Sequence, residues 1–438
     1  MAITWMTYQT AFVPGKRDPV ALLHRLIQQY KWSDYLFYEG KDEIRLVLNA
    51  QARLELTQEG LRFFDGEKMT IEATSDPLKH AERLLAGLPI QGWTAYGYVA
   101  FDVARYYFPY SKRIAEPLMA FLIPETELRL SSEGVTIRTL HDIESLMQLI
   151  AGKDDQPAYT ARTVAIEEEL DRDWYEGRVS ELIQKIKDGH LQKAIISRSV
   201  SVPGQLHMLG TYTVGAAMNS RARSYCFSLG PIQGIGFSPE TLLEADRLGF
   251  VQTNPLASTR PRGSTPEEDA RLAGELFRDS KEVKEHALSI LLAQAEIASV
   301  CTSESVRIFD FMQIKKYRCV QHLSSRVSGQ LREGKTTWDA LKALFPGITI
   351  AGIGKAAALE WIDRLEEAPR GLYGGAVGWI DASGAADFAI SIRSVFQYQG
   401  RVRLNAGAGI IAESDPRNEY RESANKMHTM LHALVLAE

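Results

Sequence analysis

The chain has little cysteine, no long apolar run and no block of like charge, and each shortage removes a class of protein. Its three cysteines, Cys226, Cys301 and Cys319, are odd in number and lack Cys-x-x-Cys spacing. That argues against a disulfide framework or a zinc knot and leaves them as buried thiols. No stretch approaches the roughly 18 apolar residues of a membrane-spanning helix. The start, MAITWMTYQTAFVPGKR, lacks the basic and apolar blocks of a signal peptide, so a cytoplasmic location without a membrane partner is expected. Net charge is -5 with no basic face, which argues against a nucleic-acid partner. With 45% hydrophobic and 24% charged residues among 438, the chain can bury a large core.

The first part, 1–160, reads as strands at 35–40, 44–56, 61–66, 93–101 and 119–130, with helical periodicity at 19–31 and 78–87. The polar segment GKDDQPAYT (152–160) reads as a connection into the second part, 161–438. There a helix carrying Trp174, Val179, Ile183 and Ile186 stops at Gly189, and a strand starts at Lys193. One long helix is expected near 266–300, three consecutive strands at 372–381, 387–399 and 401–411, and a closing helix at 415–436. Strands in hairpin order with helices between them predict antiparallel or mixed sheets, an α+β fold, and not a doubly wound parallel sheet.

Two Glu-x-x-Glu pairs carry the clearest chemical signal, Glu282 with Glu285 and Glu419 with Glu422. On helices each pair points two carboxylates one way, and two such helices facing each other form an oxygen-rich site suited to Mg2+. Solvated helix faces are the alternative. Lys193 opens the apolar strand KAIIS and reads as an edge charge or as a general base whose pKa is lowered, with Arg198 as a nearby source of charge. Glu240, in GFSPETLLEA, reads as a terminus charge or as an acid opposed to that base. Arg393 falls inside the apolar DFAISIRSVF, where an unpaired charge is costly, so it wants either a ligand carboxylate, with Tyr373 as a second donor, or an internal Glu. The run Asn405-Ala-Gly-Ala-Gly-Ile lets backbone approach a ligand and is not a nucleotide fingerprint. Lys426, four residues after Glu422, supports the last helix or the metal face, and His322 is a core histidine or a proton relay.

The order and wording of QKAIISRS, GFSPETLLEA, TNPLASTRPRG, DSKEVKEH, CVQHLSSRVSGQL, LFPGITIAGIGKAAALEWI, PRGLYGGAVGWID, ISIRSVF and NAGAGIIAESDPRNEYRESANK resemble the chorismate-utilising enzymes. That family includes anthranilate, aminodeoxychorismate, isochorismate and salicylate synthases. The match runs from about residue 174 to the end and is nearest the salicylate branch, which YLFYEG, NAQARLELTQEG and AYGYVAFDVA extend N-terminally. The resemblance implies two large antiparallel sheets packed face to face with helices outside, as one co-folded domain. It implies Lys193 as the base that activates water, since ammonia-adding members have glutamine there, and Glu240 as the acid for the departing C4 hydroxyl. Glu285 and Glu422 would hold Mg2+ directly, with Glu282 and Glu419 acting through water. Arg393, Tyr373 and the Gly407 backbone would grip the enolpyruvyl carboxylate, Lys426 the ring carboxylate, and Thr259, His322 and Thr349 would line the ring. The implied activity is a Mg2+-dependent salicylate synthase of siderophore assembly, a monomer or weak dimer. Isochorismate synthase is the runner-up, ahead of anthranilate synthase component I or a non-catalytic relative. Ala257 stands where aminodeoxychorismate synthases have their nucleophilic lysine. The chain also departs from the usual pattern at Asn254, Ser258 and Gly354.

Overall fold

The computed structural model describes residues 6–30, 34–66, 68–108, 117–152, 159–161, 171–219, 222–316 and 320–437, without the side chains of residues 30, 257–259 and 320. Most of the connection expected at 152–160, the residue Cys319 and the side chain of Thr259 therefore lie outside the described part.

Two long strands, Ile44–Thr57 and Met119–Leu130, organise the whole molecule. They pair with each other along their length, but the register shifts between Ala50 and Ala52 opposite Pro124, and Asn49 takes a left-handed φ of 57°. A bulge of this kind bends a strand pair. Beyond it the two halves feed different layers. One layer runs through Gln9–Pro14, Gly134–Thr139, the bent pair, Tyr35–Glu39, Arg223–Leu229, Ile232–Ser238, Ser394–Tyr398, Arg401–Ile410, Lys193–Val202 and Gly352–Ile353. The other runs through Lys68–Glu72, Gly60–Asp65, the bent pair, Thr94–Val99, Ala376–Asp381, Ala386–Ile390, Thr241–Ala245, Phe250–Asn254, Val320–Gln330 and Arg307–Lys316. Leu256–Pro261 continues beside Val320–Gln330, and every pairing between these strands is antiparallel.

The layers pack face to face. Leu36, Tyr38, Val47, Tyr225 and Phe227 of one meet Tyr96, Tyr98, Val377 and Ala389 of the other, all buried. Tyr98 stacks on Phe227 with ring centroids 5.8 Å apart, and the Tyr38 hydroxyl donates to Asp387 at 2.9 Å. Burying such a side chain contributes about 1.5–3 kcal/mol. Helices cover the outer faces: Pro19–Tyr30, Ile143–Ala151, Met208–Met218 and Pro416–Leu431 on the first layer, Pro77–Ala86, Ser280–Ala298 and Thr337–Leu344 on the second. Arg172–Lys187 and Lys355–Leu365 pack on the Lys193–Val202 strand.

Two expectations need correction. The long helix near 266–300 is two helices, Pro266–Arg278 and Ser280–Ala298, because Asp279 leaves the helical conformation and its carboxylate accepts the Glu282 amide. The aspartate at an N-cap satisfies a donor that an unbroken helix would not leave open. The strand expected at 387–399 is also two, Ala386–Ile390 and Ser394–Tyr398, and they belong to opposite layers. The chain crosses between sheets at residues 391–393, with Arg393 at a left-handed φ of 50°. Alternation breaks at this crossing, so it does not govern where the Arg393 side chain points.

Candidate active site

At the end of the layers lies a cavity of about 180 Å³, walled by strand ends and two helices. Lys193, Glu240, His322, Thr349, Tyr373, Arg393, Gly407, Lys426, Glu282, Glu285 and Glu422 all line it. Glu419 does not; it lies deeper, 1% exposed, paired with Lys281 at 2.6 Å. Asn405, which opens the small-residue run, lines it as well, and so do Ile195, Leu256, Ile350, Ile392 and Arg260, to which sequence reasoning gave no role. Alternation from Lys193 to Ile195 and the neighbours of Thr349 and Arg393 were the available signals.

Lys193 begins its strand, and its Nζ sits 2.8 Å from Glu285 and 3.4 Å from the Ser289 hydroxyl. Arg198 is not its neighbour, since that guanidinium donates to Asp171 at 2.6 Å and to Ser423 at 3.1 Å. Glycine at 409 gives the Lys193 and Glu285 side chains their space. A Cβ there would stand 2.5 Å from the Glu285 carboxylate and 3.2 Å from Lys193 Cε. A Cβ on Gly407 would lie 2.6 Å from the Ile196 carbonyl.

Glu240 occupies the turn between Ile232–Ser238 and Thr241–Ala245, where the Ser238 hydroxyl fixes its backbone. Its carboxyl is 5% exposed, accepts from Thr349 at 2.6 Å and from the Leu256 amide at 3.3 Å, and burial pushes its pKa up to about 7 despite those bonds. A carboxylic acid half-protonated near neutrality can give a proton in the same range where it can take one.

The cationic side is built around Arg393. Burial lowers its pKa, opposed by Tyr373 and Glu422, and among the described residues no carboxylate lies within ion-pair distance of it. The Tyr373 hydroxyl is buried in the same wall, its pKa raised chiefly by burial. A fork of donors without an acid partner suits a ligand carboxylate. Lys426 donates to the Gly407 carbonyl at 3.0 Å and to Glu422 at 2.6 Å. Burial works against its charge, but Glu422 prevails and the lysine pKa rises.

The two Glu-x-x-Glu helices do face each other, joined directly by Lys281 to Glu419. Three of the four carboxylates are turned onto lysines: Glu285 onto Lys193, Glu419 onto Lys281 and Glu422 onto Lys426. As placed, no three His, Cys, Asp or Glu side chains among the described residues are close enough together to hold a metal ion. The donor set still fits a hard divalent cation, because Glu282, Glu285 and Glu422 bring only carboxylate oxygens to one cavity with room for water and an anionic ligand.

Sequence reasoning missed the groups behind the wall, His286 and the Glu366–Arg370 pair. His286 is fully buried on the Glu285 helix, 2.8 Å from the Ser325 hydroxyl. In sequence the histidine looks like an ordinary surface-helix residue, and the pair, flanking Pro369 past the end of Lys355–Leu365, looks like loop charges.

The profile of the chorismate binding enzymes matches residues 33–432. A salicylate synthase of Mycolicibacterium paratuberculosis is 32% identical over 435 residues, covering 97% of this chain and 95% of the relative. Anthranilate synthase component 1 of Thermus thermophilus is likewise 32% identical, covering 98% of both chains. The crystal structure of anthranilate synthase component I from Streptococcus pneumoniae superposes with a TM-score of 0.77 at 27% identity, covering 89% of this chain and 92% of that one. With the family match spanning nearly the whole chain and the fold shared with these proteins, the chain belongs to the chorismate-binding enzyme family.

Proposed function

We propose that the protein is a salicylate synthase, converting chorismate through isochorismate to salicylate and pyruvate. The observation that carries the reading is Lys193, 1% exposed in the cavity wall, at the position where the resemblance to ammonia-adding relatives would require glutamine. The full-length similarity to a salicylate synthase supports it.

Arg393 and Tyr373 bind the enolpyruvyl carboxylate beside the Gly407 backbone, and Lys426 faces the ring carboxylate. Thr349 and His322 line the ring, with Thr259 on the adjoining strand Leu256–Pro261. Lys193 takes a proton from water attacking C2 while Glu240, presented protonated by its buried setting, gives one to the C4 hydroxyl as it leaves. Holding both partners in one small cavity replaces a collision with an oriented encounter. In the second step the C2 hydrogen moves to the methylene carbon of the enolpyruvyl group as the C3–O bond breaks, which releases pyruvate and leaves the ring aromatic. Mg2+, held by Glu285 and Glu422 with Glu282 and Glu419 behind them, would supply charge neutralisation for the ring carboxylate.

Incubation with chorismate and Mg2+, with and without chelator, tests the proposal through salicylate fluorescence and pyruvate release. Matched, chelator-sensitive appearance of both is expected, and Lys193→Ala abolishes it. Isochorismate without pyruvate would place the protein among isochorismate synthases, and anthranilate from added ammonium would overturn the reading of Lys193.

A further inference from the structure

Behind the cavity wall, outside the cavity itself, lies a buried ion pair that touches three of its sides. Arg370 is 6% exposed and holds Glu366 with Nε at 2.9 Å and Nη2 at 2.6 Å. Its remaining donors go to backbone: Nη2 to the Ile195 carbonyl at 2.6 Å and Nη1 to the Ile350 carbonyl at 2.8 Å. Glu366 in turn accepts the Ser197 amide at 2.7 Å and the Ser197 hydroxyl at 3.0 Å. The guanidinium lies over Phe101, 4.5 Å from the ring centroid, and 5.9 Å from that of Tyr373, whose amide donates to the Arg370 carbonyl at 3.3 Å.

Each contact is adjacent to a group with chemistry. Ile195 and Ser197 lie on the strand that Lys193 opens. Ile350 follows Thr349, the residue whose hydroxyl holds Glu240. Tyr373 stands three residues beyond Arg370 in the wall that faces the ligand. A planar guanidinium is the one side chain that can donate in fixed directions to a carboxylate and two carbonyls at once. If stability alone were at stake, apolar residues of similar volume would often serve as well as a buried ion pair.

We infer that Arg370 and Glu366 are positioning residues, a single brace that sets the strand of Lys193, the Thr349 support of Glu240 and the Tyr373 wall in mutual register. The inference rests on the proposed roles of those three residues.

The test compares Arg370→Lys and Glu366→Gln with Glu127→Gln, which disturbs a buried cluster with Arg129 and Arg138 outside the cavity. Turnover of chorismate, chorismate affinity, melting temperature and the titration of 13C-labelled Glu240 are measured for each. For the brace variants kcat is expected to fall about tenfold to a hundredfold with chorismate affinity changed less than about threefold, as misplacement of reacting groups does. The Glu240 midpoint is expected to rise as Thr349 moves away. Glu127→Gln is expected to lower melting temperature with neither effect. Brace variants that lose melting temperature while keeping kcat and the Glu240 midpoint would overturn the inference. If the wild type leaves chorismate unchanged, the functional proposal falls, and the Glu240 midpoint still decides the brace.

Discussion

At the scale of single residues, the site depends on charges buried with unequal company. Glu240 is the clearest case. Its pKa of about 7 in the folded protein lies well above the unfolded value of about 4.3, so the folded state binds the proton more tightly. Its stabilising contribution is complete below the unfolded value and is lost as pH rises through about 7, a change on the order of 3 kcal/mol. Glu240→Gln is expected to flatten that part of the stability profile, which denaturant titrations between pH 4 and pH 8 would reveal through about the same window. Turnover is expected to decline as pH rises through the same value, since only the protonated carboxyl can serve the leaving hydroxyl. Arg393→Ala removes the guanidinium that has no acid partner among the described residues. Loss of a bidentate carboxylate contact of about 2–3 kcal/mol should raise KM for chorismate roughly thirtyfold or more, with little loss of melting temperature. An unchanged KM would mean that the ligand carboxylate binds elsewhere. The spacing of the glutamates and the placement of Lys193 were legible because motif order carries them. The company each residue keeps was not, since Lys193 meets Glu285 and Arg198 meets Asp171 only through folding.

At the scale of elements, the strand Arg401–Ile410 works by what it omits. Gly409→Ala puts a methyl group against the Glu285 carboxylate, and the contact with backbone that makes other glycine substitutions severe is absent at this position. The variant should fold and lose Mg2+ affinity, measured by calorimetry, by about tenfold or more, the scale seen when support around metal ligands is disturbed. Affinity equal to wild type would show that Glu285 moves aside freely. Element boundaries in the sequence were readable where turn formers and alternation agree, as at Met119–Leu130 and Tyr35–Glu39. They failed where a local capping choice beat periodicity. Asp279 ends one helix and caps the next inside a continuous helical pattern, and Ser391–Arg393 changes sheets inside an uninterrupted apolar pattern. Neither event leaves a composition shift. The Glu366–Arg370 brace was hidden because the pair flanks Pro369 just past a helix end, where charged residues read as an exposed loop.

At the scale of the molecule, strands from the first 160 residues complete both layers: Tyr35–Glu39 beside Arg223–Leu229, and Thr94–Val99 beside Ala376–Asp381. We expect one cooperative unfolding transition for the full chain, with fluorescence and circular dichroism coincident in urea. Expression of residues 171–438 alone should give aggregates, because removing those strands bares two sheet interiors. A soluble, folded fragment would instead establish separable halves. The lysines set against Glu285, Glu419 and Glu422 have a further effect on the life of the protein. Each replaces, within the chain, charge that a cation would otherwise have to bring before the two glutamate helices could close on each other. The glutamate helices are thereby balanced by charge the chain carries itself, so folding is expected to need no cation: melting temperature in chelator should equal that in added magnesium.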